Sequence, residues 1–449
     1  MSSLTPSADY SLFRDTLFPA GLVCLLGGAF GIHTYLLRYG ETVAGSYLAA
    51  VVGVSIVVAA RSLLYSRVAL RWPAWLLLMF GCLPFVWFVV VVIDRGSQQG
   101  IFSYLYKFAP YLTVLYWASL VKTKGLGSVT FAVKLYATII GLRQIAVFML
   151  PDTLGGVPLP NAVYDGTFIF AYVGSLPRVF GPGAMIMALA VLLYLGDWSL
   201  RRLTVPGRAG MAVAVMGLAT TFTRGTLLVL AATATISVFL PLRFRRGVPR
   251  TLKTAVAFVC LAAIVCICGL AASGYLREAL PDAGERVTID TTTLDWRYDQ
   301  VDRAFMRTEQ WWQSWVFGVG PNTFVRNSST ENLTVNELHF SYISVLWTFG
   351  AAGLALLLAS LLGVATYGWN VARRTSAGLE WYLGAWMFML VGVYTPTFAE
   401  ADSALGLTLC VGAVVGLMAS DHGRTRLRVP VQHLARNGSR LRLTAGAAR

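Results

Sequence analysis

The chain has 449 residues, of which 56% are hydrophobic and 13% charged, and its formal net charge is +15. A soluble protein of this length could not bury so much apolar surface, so the composition excludes an ordinary globular domain. The basic residues lie mainly in short segments between apolar runs and in the tail, which is typical of membrane proteins and argues against a nucleic-acid partner. No cleavable signal peptide is evident, so the first apolar run is expected to be a membrane anchor.

Apolar runs long enough to cross a hydrocarbon core recur along the whole sequence. They predict an all-α, polytopic integral membrane protein with about twelve transmembrane helices in one domain, residues 1–449. The predicted spans are residues 17–37, 43–60, 72–93, 102–121, 127–150, 180–197, 206–222, 225–242, 254–275, 340–362, 380–398 and 403–420.

The distribution of basic residues predicts the orientation of these spans. With the N-terminus in the cytoplasm, the inside segments hold about 22 Lys and Arg and the outside segments about 10. Most of the outside ones lie in one long loop, and loops of that length have little influence on orientation. Both termini are therefore expected in the cytoplasm, and residues 421–449 form a basic cytoplasmic tail.

Two outside segments are long, and the longer one is expected to be functional. Residues 151–179 are rich in Pro and Gly, and residues 276–338 form a large periplasmic loop with more acidic than basic residues. Within that loop, the apolar periodicity of residues 294–318 predicts an amphipathic helix at the outer membrane surface. "FGVGPNTF" (317–324) indicates a turn that ends this helix, with a phosphate cradle as the alternative.

His339 is the first candidate catalytic residue. It stands where the polar stretch "VNELHF" enters an apolar helix, and Glu337 precedes it by two positions. A histidine there can serve as a general base or orient a substrate, because it exchanges a proton near neutral pH. The alternative is an ordinary interfacial histidine with an apolar body and a wet tip.

Arg224 is the second candidate, in "ATTFTRGTLLVL" (219–230) between two apolar halves. An arginine at membrane depth is costly and should face a cavity or a partner, and its guanidinium can clamp phosphate oxygens. Thr223 and other threonines surround it with hydroxyl groups. The alternative is a structural ion pair or a snorkelling side chain.

Other charged residues in or near apolar runs could line the same cavity. Arg178, in "SLPRVFGPGAM" (175–185), is either a substrate-binding residue or an interface anchor. The roles of three further cations stay open: Lys107, Lys134 and Arg143. No Asp-x-Asp pair occurs, and "EAD" (400–402) is a weak substitute, so no metal site is predicted and the phosphate charge would be met by arginines.

In ordered combination, four motifs make the chain resemble the superfamily of O-antigen ligases and O-antigen polymerases of the bacterial inner membrane. The motifs are "RVFGPGAM" (178–185), "TFTRGTLL" (221–228), "WRYDQVDRA" (296–304) and "ELHFSYISVLWTFGAAGL" (337–354). The resemblance implies a GT-C-like fold and metal-independent transfer of a glycan from undecaprenyl diphosphate to an acceptor hydroxyl at the periplasmic face. It further implies that Arg224 and Arg297 hold the diphosphate, that His339 lies near the acceptor, and that no cofactor is needed.

Three functions remain open at this point. A ligase would move a finished polysaccharide onto lipid A-core, whereas a polymerase would join repeat units of O-antigen, capsule or exopolysaccharide by the same chemistry. A transporter or flippase for lipid-linked polysaccharide would also suit twelve spans. Such transporters often show two similar halves, and no internal repeat is visible.

Overall fold

The computed structural model describes most of the predicted spans and short parts of the loops. The described residues are 13–28, 41–65, 72–95, 101–150, 170–173, 176–179, 183–199, 202–221, 224–239, 301–302, 312–320, 325–326, 334–335, 341–372, 378–393, 398 and 400–420. The predicted ninth span and the basic tail lie outside these residues.

Within the described residues the structure is almost entirely helical. The helices are α1 (Phe18–Leu26, after a π-helical turn Phe13–Leu17), α2 (Glu41–Tyr65), α3 (Trp72–Arg95), α4 (Ile101–Leu112), α5 (Val114–Lys124), α6 (Gly127–Met149), α7 (Ala184–Ser199), α8 (Val205–Ala219), α9 (Arg224–Phe239), α10 (Trp312–Phe317), α11 (Ser341–Ala372), α12 (Gly378–Val391) and α13 (Ala401–Ser420). Two short antiparallel pairs join them: β1 (Phe170–Val173) with β2 (Leu176–Val179), and β3 (Val325–Arg326) with β4 (Thr334–Val335).

Five of the described helices are long and apolar enough to cross a membrane. They are α2, α3, α6, α11 and α13, and the shorter helices α7 and α8 are also apolar. Since a span needs about 20 apolar residues, the predicted helical membrane architecture is confirmed at this level. The total of twelve spans and the GT-C-like arrangement remain predictions.

The predicted span 102–121 is two helices, α4 and α5, which meet at Thr113. The Thr113 hydroxyl donates to the Pro110 carbonyl at 2.7 Å and accepts from the Trp117 indole N–H at 2.9 Å. Proline has no N–H to give to a helix, and the Thr113 side chain satisfies backbone and indole groups where the helical ladder is interrupted. The break is therefore polar but internally paired, as a buried site in an apolar bundle requires.

Helices α6, α7 and α8 form a closely packed group around small residues. A Cβ at Gly217 of α8 would lie 2.5 Å from the Cα of Gly141 on α6. Farther toward the N-termini of both helices, Gly210 lies close to Thr138. From the first pair to the second, the residue numbers fall in both helices, so α6 and α8 run parallel. The glycines permit the close approach of the two helices.

Helix α11 is kinked at Gly350, where a segment of the long loop packs against it. Gly350 has φ +67°, and Gly318, just after α10, has φ +81°. The N–H groups of Val319 and Gly320 donate to the carbonyls of Trp347 and Thr348 at 2.9 and 3.1 Å. These bonds use carbonyls that the kinked helix leaves without their usual partners.

This arrangement bears on two predictions. Of the turn predicted at 317–324, only the first part is described: α10 ends at Phe317, and Gly318 and Gly320 have positive φ, whereas residues 321–324 lie outside the described residues. The helix predicted over 294–318 is described only at residues 301–302 and in α10. Helix α10 packs beside Gly350. Gly350 is nine residues beyond Ser341, the first residue of α11, so the contact lies roughly 13 Å along the axis from the start of that helix.

Helix α13 is the most enclosed of the five long helices. In its most apolar stretch, 83% of the residues are buried, compared with 39–50% in the other four. Its Gly412 and Gly416 pack against Trp117 and Ala118 of α5. Such a helix, apolar on all sides, is expected at the centre of a bundle.

Candidate functional site

The start of α7 is joined to the start of α13 by a buried hydrogen bond. The Gly183 N–H donates to Asp402 Oδ2 at 2.7 Å. Gly183 has φ +107°, a conformation that favours glycine. Asp402 is the second residue of α13 and is only 7% exposed. Because it also accepts from the residue before α7, its carboxylate lies between the positive ends of two helix dipoles.

The start of α9 lies against the start of α7. Thr226, in the first turn of α9, places its hydroxyl oxygen 3.6 Å from the sulfur of Met185, the second residue of α7. Arg224 is the first residue of α9, and its backbone therefore begins the helix two residues before this contact.

The start of α11 adjoins the segment that leads into α13. The Ser341 hydroxyl accepts from the Phe398 N–H at 3.2 Å, and the Ser341 N–H donates to the Gly392 carbonyl at 3.1 Å. The Tyr342 hydroxyl donates to the Met389 carbonyl at 3.0 Å, which ties the same end of α11 to α12. His339 comes two positions before Ser341.

These contacts bring four helix starts together: those of α7, α9, α11 and α13. The first N–H groups of any helix lack intrahelical acceptors, and the aligned peptide dipoles give that end about half a positive charge. A group of such ends favours an anionic ligand, as broken helices do at membrane depth in transporters.

The end of α1 closes one side of this region. The Tyr136 hydroxyl donates to the Gly27 carbonyl at 2.6 Å, and the Tyr106 hydroxyl donates to the Leu26 carbonyl at 3.1 Å. A Cβ at Gly183 would lie 3.2 Å from the Tyr136 hydroxyl oxygen. The two tyrosines thus satisfy carbonyls at the end of α1 beside the start of α7.

The second half of α6 forms another side, and it carries two polar residues. Arg143 is half-buried, and Gln144 is 1% exposed. Neither amide atom of Gln144 has a hydrogen-bond partner in the part of the chain that the structure describes. Strand β2 contacts α6, and in its register Arg178 lies opposite Ala171.

The six predicted site residues divide into two groups. Arg224 begins α9 and Arg178 lies in β2, but their side chains are outside the description. The other four lie outside the described residues altogether: Thr223, Arg297, Glu337 and His339. The structure thus describes the elements next to these residues without testing their roles.

Lys134, one of the cations with an open role, belongs to a different part of the bundle. It pairs with Asp197 near the end of α7, and its ammonium lies 4.5 Å from the centre of the Tyr194 ring. Since Asp197 is fourteen residues beyond Gly183, this pair lies away from the helix starts. The expectation that Lys134 lines the same cavity is not supported by this pairing.

The segment "EAD" (400–402) differs from its predicted position in an outer turn, because α13 begins at Ala401 and includes Asp402. The Ser403 hydroxyl lies 3.3 Å from Glu400 Oε2 and 3.5 Å from Asp402 Oδ1. Sequence reasoning missed the link between Asp402 and Gly183. The acidic pair Glu400 and Asp402 at the head of an apolar run was its only signal.

Comparison with known proteins adds no assignment. No protein-family model matches the chain, and a search of curated proteins finds no match.

Proposed function

We propose that this chain is a bacterial inner-membrane glycosyltransferase that moves a glycan from undecaprenyl diphosphate to a sugar hydroxyl at the periplasmic face. The acceptor in the favoured form of the proposal is lipid A-core, which makes the protein an O-antigen ligase. The alternative is a repeat-unit polymerase that uses the same donor and a growing glycan as acceptor.

The observation that supports this proposal is the meeting of four helix starts at one end of the bundle. Arg224 is the first residue of α9, and His339 precedes the first residue of α11 by two positions. Two of the three proposed catalytic residues thus adjoin, in sequence, the N-terminal ends of two of these helices. The ends of α9 and α11 suit a diphosphate, because N–H groups and partial charges at a helix start both favour negative charge; the ends of α7 and α13 already face the Asp402 carboxylate.

In the proposed mechanism, the arginines act on the leaving group. Arg224 and Arg297 hold the diphosphate, with Arg178 and Thr223 as further contacts to the donor. The bond between the anomeric carbon and the diphosphate oxygen breaks, and negative charge develops on that oxygen. Positive groups aimed at the oxygen stabilise the transition state more than the ground state, and more strongly in a low-dielectric cavity than in water.

His339 acts on the other reactant. The acceptor hydroxyl attacks the anomeric carbon as its proton passes to the imidazole, which later releases the proton to water. Glu337 lies two positions before His339 in sequence and is proposed to contact substrate. No metal or cofactor takes part in the proposed reaction, since arginines balance the charge of the leaving diphosphate.

The experiment is a gel of envelope glycolipids from a deletion strain complemented with wild type or His339→Ala. Loss of the whole ladder with long polymer retained on undecaprenyl diphosphate identifies a ligase, whereas collapse to one repeat unit on lipid A-core identifies a polymerase. A wild-type pattern with His339→Ala contradicts the catalytic histidine and favours a transporter.

A further inference from the structure

Gln144 is a buried amide inside an apolar helix. Both Nε2 and Oε1 lack partners within the described residues, and the residue is 1% exposed. An unpaired amide in an apolar environment costs on the order of 1–3 kcal/mol, so a leucine or methionine would suit a purely structural position better.

The neighbours of the preceding turn show what Gln144 faces. A Cβ at Gly183 would lie 2.7 Å from Ile140 Cγ2, and Gly141 touches Gly217. Gln144 follows these two residues by four and three positions, so it lies on the same face of α6, one turn farther on. Helical side chains in general lean toward the helix N-terminus, which for Gln144 is the turn of α6 that contacts Gly183 and Gly217.

This face of α6 extends past the start of α7. Helix α7 begins at Ala184, and its first internal bond runs from the Met187 N–H to the Gly183 carbonyl. The N–H groups of its first turn therefore have no acceptor within the helix. Gln144 thus lies one turn of α6 beyond the contact with the start of α7, where the first N–H groups have no acceptor within their own helix.

The end of α8 bounds the same place. Because α6 and α8 run parallel, Gln144 is level with Thr220 and Thr221. Each of these threonines donates its hydroxyl proton to a carbonyl of its own helix, at 2.7 Å to Gly217 and 2.7 Å to Leu218. The Thr220 oxygen keeps acceptor capacity after this donation, so the surroundings offer an acceptor beside the backbone N–H groups of α7 for a ligand rich in hydroxyl groups.

The donor and acceptor groups of an amide limit the classes of ligand that Gln144 can bind. Nε2 needs an acceptor and Oε1 needs a donor, and a phosphate diester supplies only acceptors. A sugar hydroxyl or acetamido group supplies both. We propose that Gln144 binds the first sugar of the lipid-linked donor, next to the diphosphate, and so contributes to selection of the glycan; this inference rests on the proposed function.

The test compares two lipids on the purified full-length protein in nanodiscs. The probes are bare undecaprenyl diphosphate and undecaprenyl diphosphate that carries N-acetylglucosamine. Wild type is expected to bind the sugar-bearing lipid more tightly. Gln144→Met keeps the length of the side chain but removes both hydrogen-bonding groups, and it should weaken binding of that lipid by about tenfold while leaving binding of the bare lipid unchanged.

Two further measurements separate binding from folding. Gln144→Met should unfold at the same temperature as wild type or higher, because it removes an unpaired buried amide. Val147→Ala is the matched control, since Val147 is a buried apolar residue one turn farther along α6. It should lower the unfolding temperature without changing the ratio of the two affinities.

Each other outcome overturns the inference. Unchanged affinities for both lipids mean that water or the core satisfies Gln144. An equal loss for both lipids means that it acts on the diphosphate or on the fold, and a raised KM for the acceptor with unchanged donor affinity means that it contacts the acceptor. If wild type binds neither lipid, the proposed function itself fails, and this inference fails with it.

Discussion

Gly183 and Asp402 are 219 positions apart, yet the N–H of one lies 2.7 Å from a carboxylate oxygen of the other. The bond joins the first turn of α7 to the first turn of α13, and both partners are buried. Since β2 and Arg178 come shortly before Gly183, the same bond limits where that strand can enter the bundle.

Replacement of Asp402 should therefore affect stability first. Asp402→Ala leaves the buried Gly183 N–H without its acceptor, at a cost of about 1–3 kcal/mol. Asp402→Asn keeps an acceptor oxygen and should cost less. Thermal unfolding in detergent measures both variants, and equal destabilisation by the two would contradict the role of the hydrogen bond.

Gly350→Ala should be among the most damaging small substitutions in the long helices. The residue has φ +67°, and a Cβ would overlap the backbone of Val316. Left-handed strain and overpacking together are expected to cost more than about 2 kcal/mol and to release α10 from α11. Proteolysis of the 276–338 loop should become faster, as measured in nanodiscs.

Gly53→Ala is the control for that substitution. Gly53 lies within α2, and a methyl group added there would meet no atom within 4 Å beyond its immediate neighbours. Alanine is the better helix former by about 1 kcal/mol, so this variant should match or exceed wild type. A similar loss in both variants would show that the effect is not specific to the kink.

Gly217→Ala tests the contact between α6 and α8. The new methyl carbon would lie 2.5 Å from the Cα of Gly141 and 3.1 Å from the Met187 sulfur. Overpacking of this kind costs about 1–3 kcal/mol, and the unfolding temperature should fall. Gly127→Ala, at the open first residue of α6, should leave it unchanged.

His339→Ala and Arg224→Lys test the proposed chemistry. Loss of a general base should lower the rate of glycan transfer by about 10²–10⁴-fold. Lysine keeps the charge of Arg224 but not the planar fork that grips two phosphate oxygens, so a large loss is expected there too. Transfer from lipid-linked donor in membranes, with protein amounts matched, measures both.

A histidine in the basic tail provides the control for this pair. His422→Ala should transfer glycan at the wild-type rate, because the tail lies on the opposite side of the membrane in the predicted topology. Wild-type transfer by His339→Ala would remove the proposed base, whatever the result for Arg224.

Much of the helical architecture could be predicted from the sequence, because apolar runs of membrane length have few alternatives. The end of α10 at Gly318 could also be predicted, because glycine adopts positive φ values readily. The break at Thr113 was not recognised, since the run around it stays apolar and its one cue, Pro110, is tolerated in many membrane helices.

The site was less predictable, because its contacts are distant in sequence. Arg224 was identified because a charged side chain at membrane depth is costly in free energy, which can be judged from one residue and its neighbours in sequence. The bond between Gly183 and Asp402 depends on how two helices pack, and no local pattern reports it. Gln144 was missed for the same reason, since the hydrogen-bond partners of a single glutamine in an apolar run depend on which helices pack around it.

The enclosure of α13 has a consequence for biosynthesis. This helix is made after every other described helix, yet its flanks contact α5, and Asp402 binds the residue before α7. The part of α5 and the start of α7 that contact α13 therefore stay without this partner until α13 leaves the insertion machinery. A chain that ends before residue 401 would lack these contacts, and we expect its remaining helices to be held together less stably.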